Sequence, residues 1–367
     1  MSGGLHLLHL TRDHPPAAKG GLSIAVRWLA SLGAQLGHRV TIVSFDDWRP
    51  KRAQDLSAPA IVDEQGLDGG VVLRIRSAGQ LAELHQRMAA EAPDWVHVHH
   101  GTLWEHAAHI GGRRMLCVHV LQAELNRLRG VERTWSGDCQ RAAMEAAELV
   151  QVSNSATAEL LLSHHPTLNP KLQLLPMDSA NPPAQPWSPR GRELVSVGRF
   201  DVSKGTADFI AVSAALRRLG LIDRATLIGG VPANRRAERR WAQQIEAHPF
   251  LSWTGWLDAN SLSERLAGAS LALFPSHAET LGLGLLEALT AGVPVVAADV
   301  SGHRALLGGS ERGLLATAGD VESLTSACAQ ALRSPAEAAA RAAQAQAWLS
   351  DQRPRWRESW RLLWQSA

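Results

Sequence analysis

The sequence lacks the features of a membrane-spanning or exported protein. No apolar run reaches the ~18 residues that a transmembrane helix needs, although 45% of the 367 residues are hydrophobic. Residues 1–4 lead directly into a predicted strand, without the charged and apolar regions of a signal peptide. We therefore expect a cytoplasmic protein, and peripheral contact with the inner face of the membrane stays open.

Cysteine and lysine are scarce as well. The three cysteines, Cys117, Cys139 and Cys328, are far apart and form no C-x-x-C pair, which predicts neither a disulfide framework nor a zinc site. Lysine contributes only Lys19, Lys51, Lys171 and Lys204 to the 37 basic residues. A lysine in a loop that is typical of phosphate binding is therefore more informative here, and two of the four lie in such loops.

The charge balance is nearly even. A net charge of +2 on this length gives no reason to expect nucleic-acid binding, and a pI near 8.6 favours at most weak attraction to an anionic membrane. The length exceeds that of one small domain and is sufficient for two hydrophobic cores. We expect two domains.

The most informative stretch has the pattern strand, loop, helix, strand. Apolar runs at 271–274 and 294–298 predict the two strands, and residues 283–291 between them predict a helix that Gly292 ends. Two carboxylates surround the start of this helix. Glu279 lies in the loop before it, and Glu287 lies about two turns inside it.

The backbone N–H groups at this helix start face the same crevice as the two carboxylates, an arrangement that suits a phosphate oxygen. A ligand that carries both hydroxyl groups and phosphate fits this combination, and a sugar nucleotide is such a ligand. The residues that supply these groups are Thr280, Leu281, Gly282 and Leu283.

The N-terminal segment predicts a βαβ unit, with strands at 5–11 and 39–45 around a helix at 22–36. Its first loop has no G-x-G-x-x-G pattern, which argues against a nicotinamide dehydrogenase. Gly20 and Gly21 at the helix start would allow close backbone approach to a phosphate, with the preceding lysine adding positive charge. A simple turn is the alternative interpretation of this glycine pair.

Histidines end two of the next predicted strands. His97 and His99 lie on one face of the strand at 95–99, and His119 ends the strand at 115–120. The carboxyl ends of parallel strands are where such sheets bind ligands. No further ligand with metal-site spacing is evident, so we expect a packed or hydrogen-bonded histidine cluster and assign no metal.

The second half of the chain begins with a buried strand and a basic loop. Arg199 and Lys204 lie in this loop before a predicted helix at 207–219, a spacing that suits two cations converging on one diphosphate. A solvated basic loop is the alternative. Trp256 follows the predicted strand at 251–255 and is either a neighbour of a nucleobase or a packing residue.

The domain organisation follows from these units and from a proline-rich segment. We expect one domain at 1–178, a linker at 179–192 and a second domain at 193–351. The segment 352–367 predicts a helix with Trp356, Trp360, Leu363 and Trp364 on one face. Such a face is typical of a helix that packs on another part of the protein, with a helix lying on a membrane as the alternative.

The stretch 275–297 resembles the E-x7-E signature of retaining glycosyltransferases, and most closely that of glycosyltransferase family 4, also described as glycosyl transferases group 1. The basic loop resembles the G-R-x4-K-G motif of the same family. The positions that match the E-x7-E signature are Pro275, Ser276, Glu279, Gly282, Leu283, Leu286, Glu287, Ala288, Gly292, Pro294, Val295, Val296 and Ala297.

This resemblance implies an α/β protein of the GT-B fold, with two Rossmann-like doubly wound parallel-sheet domains that face a central cleft, the first on the acceptor side and the second binding the nucleotide sugar. It implies that the helix at 352–367 packs back on the first domain. It also implies retaining transfer of a hexosyl group from a nucleoside diphosphate sugar, with a UDP- or GDP-sugar as the expected donor. The acceptor would be a hydroxyl of a glycan, a lipid-linked molecule or a small molecule. No cofactor and no essential metal are expected.

The resemblance also implies roles for particular residues. Glu279 would contact the donor sugar and Glu287 the ribose, while His119 would meet the donor sugar. The catalytic set becomes Glu279, His119, Arg199 and Lys204. The donor-binding set adds Gly20, Gly21, Trp256, Thr280, Leu281, Gly282, Leu283 and Glu287.

Two departures from the family pattern leave specificity open. Met177-Asp178 replaces a glycine-containing turn, and Ser301-Gly302-His303-Arg304-Ala305 replaces G-G-x-x-E. A sugar-nucleotide-binding protein without turnover and a two-domain regulator remain alternatives, although both carboxylate and cation motifs together favour an enzyme. The sequence does not identify the base, sugar, acceptor or oligomeric state.

Overall fold

A computed structural model of the chain describes residues 4–15, 20–46, 61, 63–65, 70–179, 186–231 and 235–366. Lys19 and residues 180–185 of the predicted linker lie outside this described part. The chain divides into two compact units, Met1–Ala180 with Arg355–Ala367, and Asn181–Pro354.

The first unit alternates strands and helices along the chain. Its strands are β1 (His6–Thr11), β2 (Arg39–Ser44), β3 (Asp63–Gln65), β4 (Val71–Arg74), β5 (Trp95–Val98), β6 (Arg113–Cys117), β7 (Leu149–Val152) and β8 (Leu172–Leu174). Its helices are α1 (Gly21–Gln35), α2 (Ala78–Ala90), α3 (Trp104–Ala107), α4 (Gln122–Leu128), α5 (Trp135–Ala146) and α6 (Ser155–His164).

These strands form one sheet in the order β3-β4-β2-β1-β5-β6-β7-β8. The pairings are parallel except that of β3 with β4, which is antiparallel and departs from the predicted all-parallel sheet. Helices cover both faces of such a sheet, so its central strands are largely buried. All six residues of β1 are buried, including two histidines.

The second unit repeats this alternation. Its strands are β9 (Glu193–Arg199), β10 (Arg224–Gly230), β11 (Leu251–Trp253), β12 (Leu271–Phe274), β13 (Val295–Ala298) and β14 (Leu314–Ala316). Its helices are α7 (Thr206–Arg218), α8 (Arg235–Glu246), α9 (Ala259–Ala267), α10 (Leu283–Ala291), α11 (Ser301–Leu307), α12 (Val321–Arg333) and the start of α13 (Pro335–Gln365).

The strands of the second unit form a parallel sheet in the order β11-β10-β9-β12-β13-β14. Strands β12 and β13 are buried over their whole length, as their uninterrupted apolar runs predict. Because β9 and β12 are neighbours, the loops that follow them leave the same edge of the sheet side by side.

Two helices show how local sequence sets burial and helix start. The alanine-rich stretch 336–349 is the first part of α13, and it buries Ala342, Ala345 and Leu349. The N-cap of α6 is Asn154, whose side chain accepts a hydrogen bond from the Thr157 N–H.

The last turns of α13 belong to the first unit and place tryptophans in its core. Trp360 and Trp364 are fully buried. The Trp360 indole N–H donates to the Pro176 carbonyl at 2.8 Å, and that of Trp364 donates to Nε2 of His97 at 3.2 Å. Met177, at one of the departures from the family pattern, is buried as well. In the described ranges, no helix has the length and hydrophobicity that crossing a bilayer requires.

We predict that Trp364→Ala lowers the free energy of unfolding of the first unit by about 3–5 kcal/mol, because it removes a fully buried ring and leaves a cavity. Urea denaturation of the full chain measures this change. Leu362→Ala on the same helix is the control, since Leu362 is 54% exposed and should change stability by less than about 0.5 kcal/mol. Equal effects of the two variants would contradict the prediction.

Candidate functional site

Asp201 organises the loop that joins β9 to α7. Its carboxylate accepts hydrogen bonds from the Lys204 backbone N–H at 3.0 Å and from the Ser203 hydroxyl at 2.6 Å. The Asp201 N–H donates to the Thr206 hydroxyl at 3.1 Å. Arg199, the last residue of β9, lies 3.5 Å from the same carboxylate. The sequence analysis missed Asp201, although an Asp followed by a Ser two positions later indicates a hydrogen-bonded turn.

This loop lies directly against the end of β12. Gly205 has a φ of 63°, and a Cβ at this position would lie 1.9 Å from the Pro275 carbonyl oxygen. Only glycine allows this close approach. The His277 N–H also donates to the Ser203 carbonyl at 2.9 Å, so the loops after β9 and β12 are tied together.

Glu279 is the centre of the loop between β12 and α10. Its carboxylate accepts hydrogen bonds from the Lys204 ammonium and, at 3.2 Å, from the Ser276 hydroxyl. The side chain is 13% exposed. Burial alone would raise the pKa of Glu279, but the charge of Lys204 and the hydrogen bonds from Lys204 and Ser276 outweigh it, so the pKa lies below its usual value. The carboxylate is therefore ionised at neutral pH.

His303 approaches the same carboxylate and was not predicted. Its Nδ1–H donates to the Ala298 carbonyl at 3.0 Å, and its Nε2 lies 4.0 Å from Oε1 of Glu279. Within the described part of the chain, this buried Nε2 has no hydrogen-bond partner. Burial lowers the pKa of His303 despite the nearby carboxylate. The neutral ring therefore presents an unprotonated nitrogen towards Glu279.

The departure at 301–304 holds the backbone of Glu279. The Ser301 hydroxyl and the Gly302 N–H both donate to the Glu279 carbonyl, at 2.8 and 3.0 Å. A Cβ on Gly302 would lie 2.8 Å from the Leu281 nitrogen, so this glycine is needed for the contact. Arg304 points elsewhere and pairs with Asp299 at 2.7 Å.

Helix α10 begins where the sequence predicts. Gly282 is its N-cap with a φ of 85°, and Leu283 is its first residue. A Cβ on Gly284 would lie 2.8 Å from the Val197 carbonyl oxygen, so the helix start packs closely on β9. Glu287 is buried in the second turn, and Thr280 and Leu281 are buried in the loop before the helix.

Trp256 lies at the same edge of the sheet. Its indole nitrogen would be 3.3 Å from a Cβ on Gly230, the last residue of β10, and Gly230 is the register partner of Arg199. Trp256 is 43% exposed. The described residues thus bring Trp256, Arg199, Lys204 and Glu279 to one edge of the second sheet.

The remaining predicted residues lie in the first unit. Gly20 is the N-cap of α1 and Gly21 its first residue, and the Ser23 hydroxyl donates to the Gly20 carbonyl at 2.9 Å. Lys19, the cation predicted beside them, lies outside the described residues. His119 follows β6 by two residues, because that strand ends at Cys117 and not at Val120 as predicted.

A hydrogen-bonded chain of histidines reaches His119. Nδ1 of His9 lies 3.0 Å from Nε2 of His99, and Nδ1 of His99 lies 2.9 Å from Nε2 of His119. His97 stacks on His9 with ring centroids 4.7 Å apart. The predicted hydrogen-bonded cluster is confirmed, and it extends to a third strand through His9, which the sequence analysis missed. Among the described residues, no group of three His, Cys, Asp or Glu side chains has a metal-binding arrangement.

Comparison with solved structures shows the fold. Sucrose-phosphate synthase from Thermosynechococcus elongatus matches with a TM-score of 0.77 at 18% identity, over 99% of this chain and 100% of that one. HepE from Anabaena, solved in complex with UDP-glucose, matches with a TM-score of 0.72 at 17% identity, over 95% of each chain. The chain has the GT-B fold.

Sequence comparison points to one family for the second half of the chain. The profile described as "Glycosyl transferases group 1" matches residues 179–348, so this part of the chain is similar to the group 1 glycosyltransferases. A glycogen synthase from Mycobacterium tuberculosis is 34% identical over 154 residues, which are 41% of this chain and 36% of the relative. The chain thus spans about a third of the length of that relative. The narrower assignment to family 4 stays a prediction.

We predict that acid destabilises the first unit through its buried histidines. Burial lowers the pKa of His97 to about 3 and that of His119 to about 4, and it places the pKa values of His9 and His99 well below 6.5. The unfolded chain therefore binds more protons as the pH falls below about 6.5, so stability decreases from there towards pH 4.

Urea denaturation at pH 7, 6 and 5 tests this dependence in a range where most carboxyl groups stay ionised. His97→Asn, which removes one titrating group, should reduce the slope by up to about 1.4 kcal/mol per pH unit. A free energy of unfolding that does not change between pH 7 and 5 would contradict the prediction.

Proposed function

We propose that the chain transfers a hexosyl group from a nucleoside diphosphate sugar to a hydroxyl acceptor, with retention of the anomeric configuration. The observation that carries the proposal is the contact between Lys204 and Glu279, beside Arg199, at one edge of the second sheet. The family of residues 179–348 supports the reaction class. The UDP-glucose complex of HepE supports a UDP-sugar as the first donor to test.

The two cations suit the leaving diphosphate. The Lys204 ammonium has three N–H donors, so it can keep its bond to Glu279 while it donates to a phosphate oxygen. The Arg199 guanidinium is planar and can bind two oxygens at once. Cations that are already placed by the fold stabilise the negative charge that grows on the diphosphate as the glycosidic bond breaks. The proposal therefore includes no essential metal.

Glu279 suits a sugar hydroxyl. Its carboxylate is ionised and accepts hydrogen bonds, and the side chain is 13% exposed, so a ligand can reach it. His303 is 0% exposed, and its Nε2, 4.0 Å from the carboxylate, borders Glu279 from inside the protein. A charged acceptor forms strong hydrogen bonds with hydroxyl groups. In this proposal Glu279 orients the sugar.

The other predicted residues keep their proposed roles. Glu287 binds the ribose, and Trp256 lies beside the base. His119 contacts the donor sugar, while Gly20 and Gly21 lie against a phosphate. The acceptor is a glycan, a lipid-linked molecule or a small molecule with a free hydroxyl group.

We predict that Arg199→Ala and Lys204→Ala each weaken binding of the nucleoside diphosphate by roughly 10- to 100-fold, since charge-assisted hydrogen bonds are worth about 1.5–3 kcal/mol. A thermal-shift panel of UDP, GDP, ADP and TDP identifies the base, and calorimetry with that nucleotide measures the affinity. Arg192→Ala is the control, because Arg192 pairs with Asp223 in an exposed ion pair of the same unit. If all three variants bind the nucleotide with equal affinity, Arg199 and Lys204 do not contribute to the binding site.

We predict that Glu279→Gln lowers kcat by roughly 100-fold and changes the affinity for the nucleoside diphosphate by less than about threefold. The substitution keeps the shape of the side chain but removes the charge that orients the sugar. Transfer is measured with the donor that the thermal-shift panel identifies, and NMR of the anomeric proton of the product tests retention. Glu264→Gln, at an exposed position, is the control.

Normal transfer by Glu279→Gln would exclude Glu279 from the mechanism, and an inverted product would refute retention. Tight nucleotide-sugar binding without transfer to any acceptor would favour the non-catalytic binding protein.

A further inference from the structure

His9, His99 and His119 form a hydrogen-bonded chain in the first unit, and this chain restricts which nitrogen of each ring carries the proton. A neutral imidazole carries one N–H and one unprotonated nitrogen, and a hydrogen bond between two imidazoles needs one of each. His99 uses both of its nitrogens, one towards His9 and one towards His119. Its tautomer therefore sets the tautomers of both neighbours.

Only two arrangements satisfy both hydrogen bonds. If His99 carries its proton on Nδ1, it donates to Nε2 of His119 and accepts from Nδ1 of His9, so all three rings are Nδ1–H tautomers. If His99 carries its proton on Nε2, all three rings are Nε2–H tautomers. In both arrangements the three rings have the same tautomer.

The imidazole rings of the three histidines are neutral at pH 7. His9 and His99 are 0% and 1% exposed, and burial lowers their pKa values well below 6.5 and that of His119 to about 4. The chain also has no proton outlet at its inner end in the described structure, because Nε2 of His9 is buried and has no hydrogen-bond partner among the described residues. The three neutral rings therefore share one arrangement of their N–H protons.

We propose that His99, supported by His9, is a positioning residue that fixes the ring orientation and the tautomer of His119. His119 then offers a ligand either a hydrogen-bond donor or an acceptor, but not a mixture of the two. No free energy is lost on selecting one tautomer when the ligand binds. The catalytic consequence of this inference rests on the proposed function, in which His119 contacts the donor sugar.

The first test reads the tautomers directly. The full chain is labelled with 15N in its imidazole rings, and the 15N chemical shifts at pH 7 distinguish Nδ1–H from Nε2–H rings, with assignment by single substitutions. We expect His9, His99 and His119 to share one tautomer, and either shared form supports the inference. Different tautomers within the three, or an averaged His119, would overturn it.

The second test separates the two hydrogen bonds of His99. The carboxamide of His99→Asn reaches the position of Nδ1 and can keep the bond to His119, whereas that of His99→Gln reaches the position of Nε2 and keeps only the bond to His9. We expect His99→Asn to retain kcat within about threefold and His99→Gln to lose about tenfold, with nucleotide affinity unchanged in both.

His6→Asn is the matched control for loss of a buried histidine from the same sheet. His6 bonds to Thr41 at 2.9 Å and is the first residue of β1, three positions before His9 and outside the histidine chain, so this variant should keep the kcat of the unaltered chain. Equal losses in the two His99 variants, or none in His99→Gln, would overturn the positioning role.

The two tests also separate this inference from the proposed function. The tautomer measurement needs no activity, so a shared tautomer in a protein without transfer counts against the proposed function alone. Transfer by a protein whose three histidines have different tautomers counts against the inference alone.

Discussion

The loops after β9 and β12 in the second unit meet at one partly buried negative charge. Glu279 is 13% exposed, and a carboxylate at such a position is costly to keep ionised unless a cation and hydrogen bonds replace its water. Lys204 supplies the cation, and it does so from a loop 75 residues earlier in the sequence. Lys204 reaches Glu279 because β9 and β12 are adjacent, because Gly205 lets the loop lie on Pro275, and because Asp201 shapes that loop. Several local features of the sequence therefore act together to allow one electrostatic contact.

Much of this arrangement was predictable from local pattern. The apolar runs and glycines around 271–298 predicted the strands, the helix and its N-cap, and the spacing of Arg199 and Lys204 predicted cations at a strand end. Contacts that need tertiary structure were not predictable in the same way. Asp201 acts through hydrogen bonds inside a loop, and His303 reaches Glu279 only because α11 turns back after β13. The departure from the family motif at 301–304 indicated that this segment differs from its relatives. The sequence alone did not show that His303 lies beside Glu279.

In the first unit as well, the contacts that depend on tertiary structure could not be predicted from local sequence. A period of two predicted that His97 and His99 share one face of a strand, and that face does carry the histidine cluster. The chain from His9 through His99 to His119 instead depends on the order β1-β5-β6 in the sheet. Sequence order places β1 far from β5, so alternation of strands and helices predicts a parallel sheet without predicting which strands are neighbours.

The histidine chain of the first unit and the Glu279 loop of the second unit accommodate buried polar groups in different ways, and this difference has a chemical consequence. In the first unit, burial keeps the histidines neutral, so they offer dipoles and directed hydrogen bonds but no charge. In the second unit, a cation keeps a carboxylate ionised, so the loops offer charge of both signs. A diphosphate requires fixed positive charge, whereas a sugar ring requires directed hydrogen bonds and would gain little from a charged imidazole. One chain therefore contains both kinds of environment, and each of them keeps its polar groups in one protonation state.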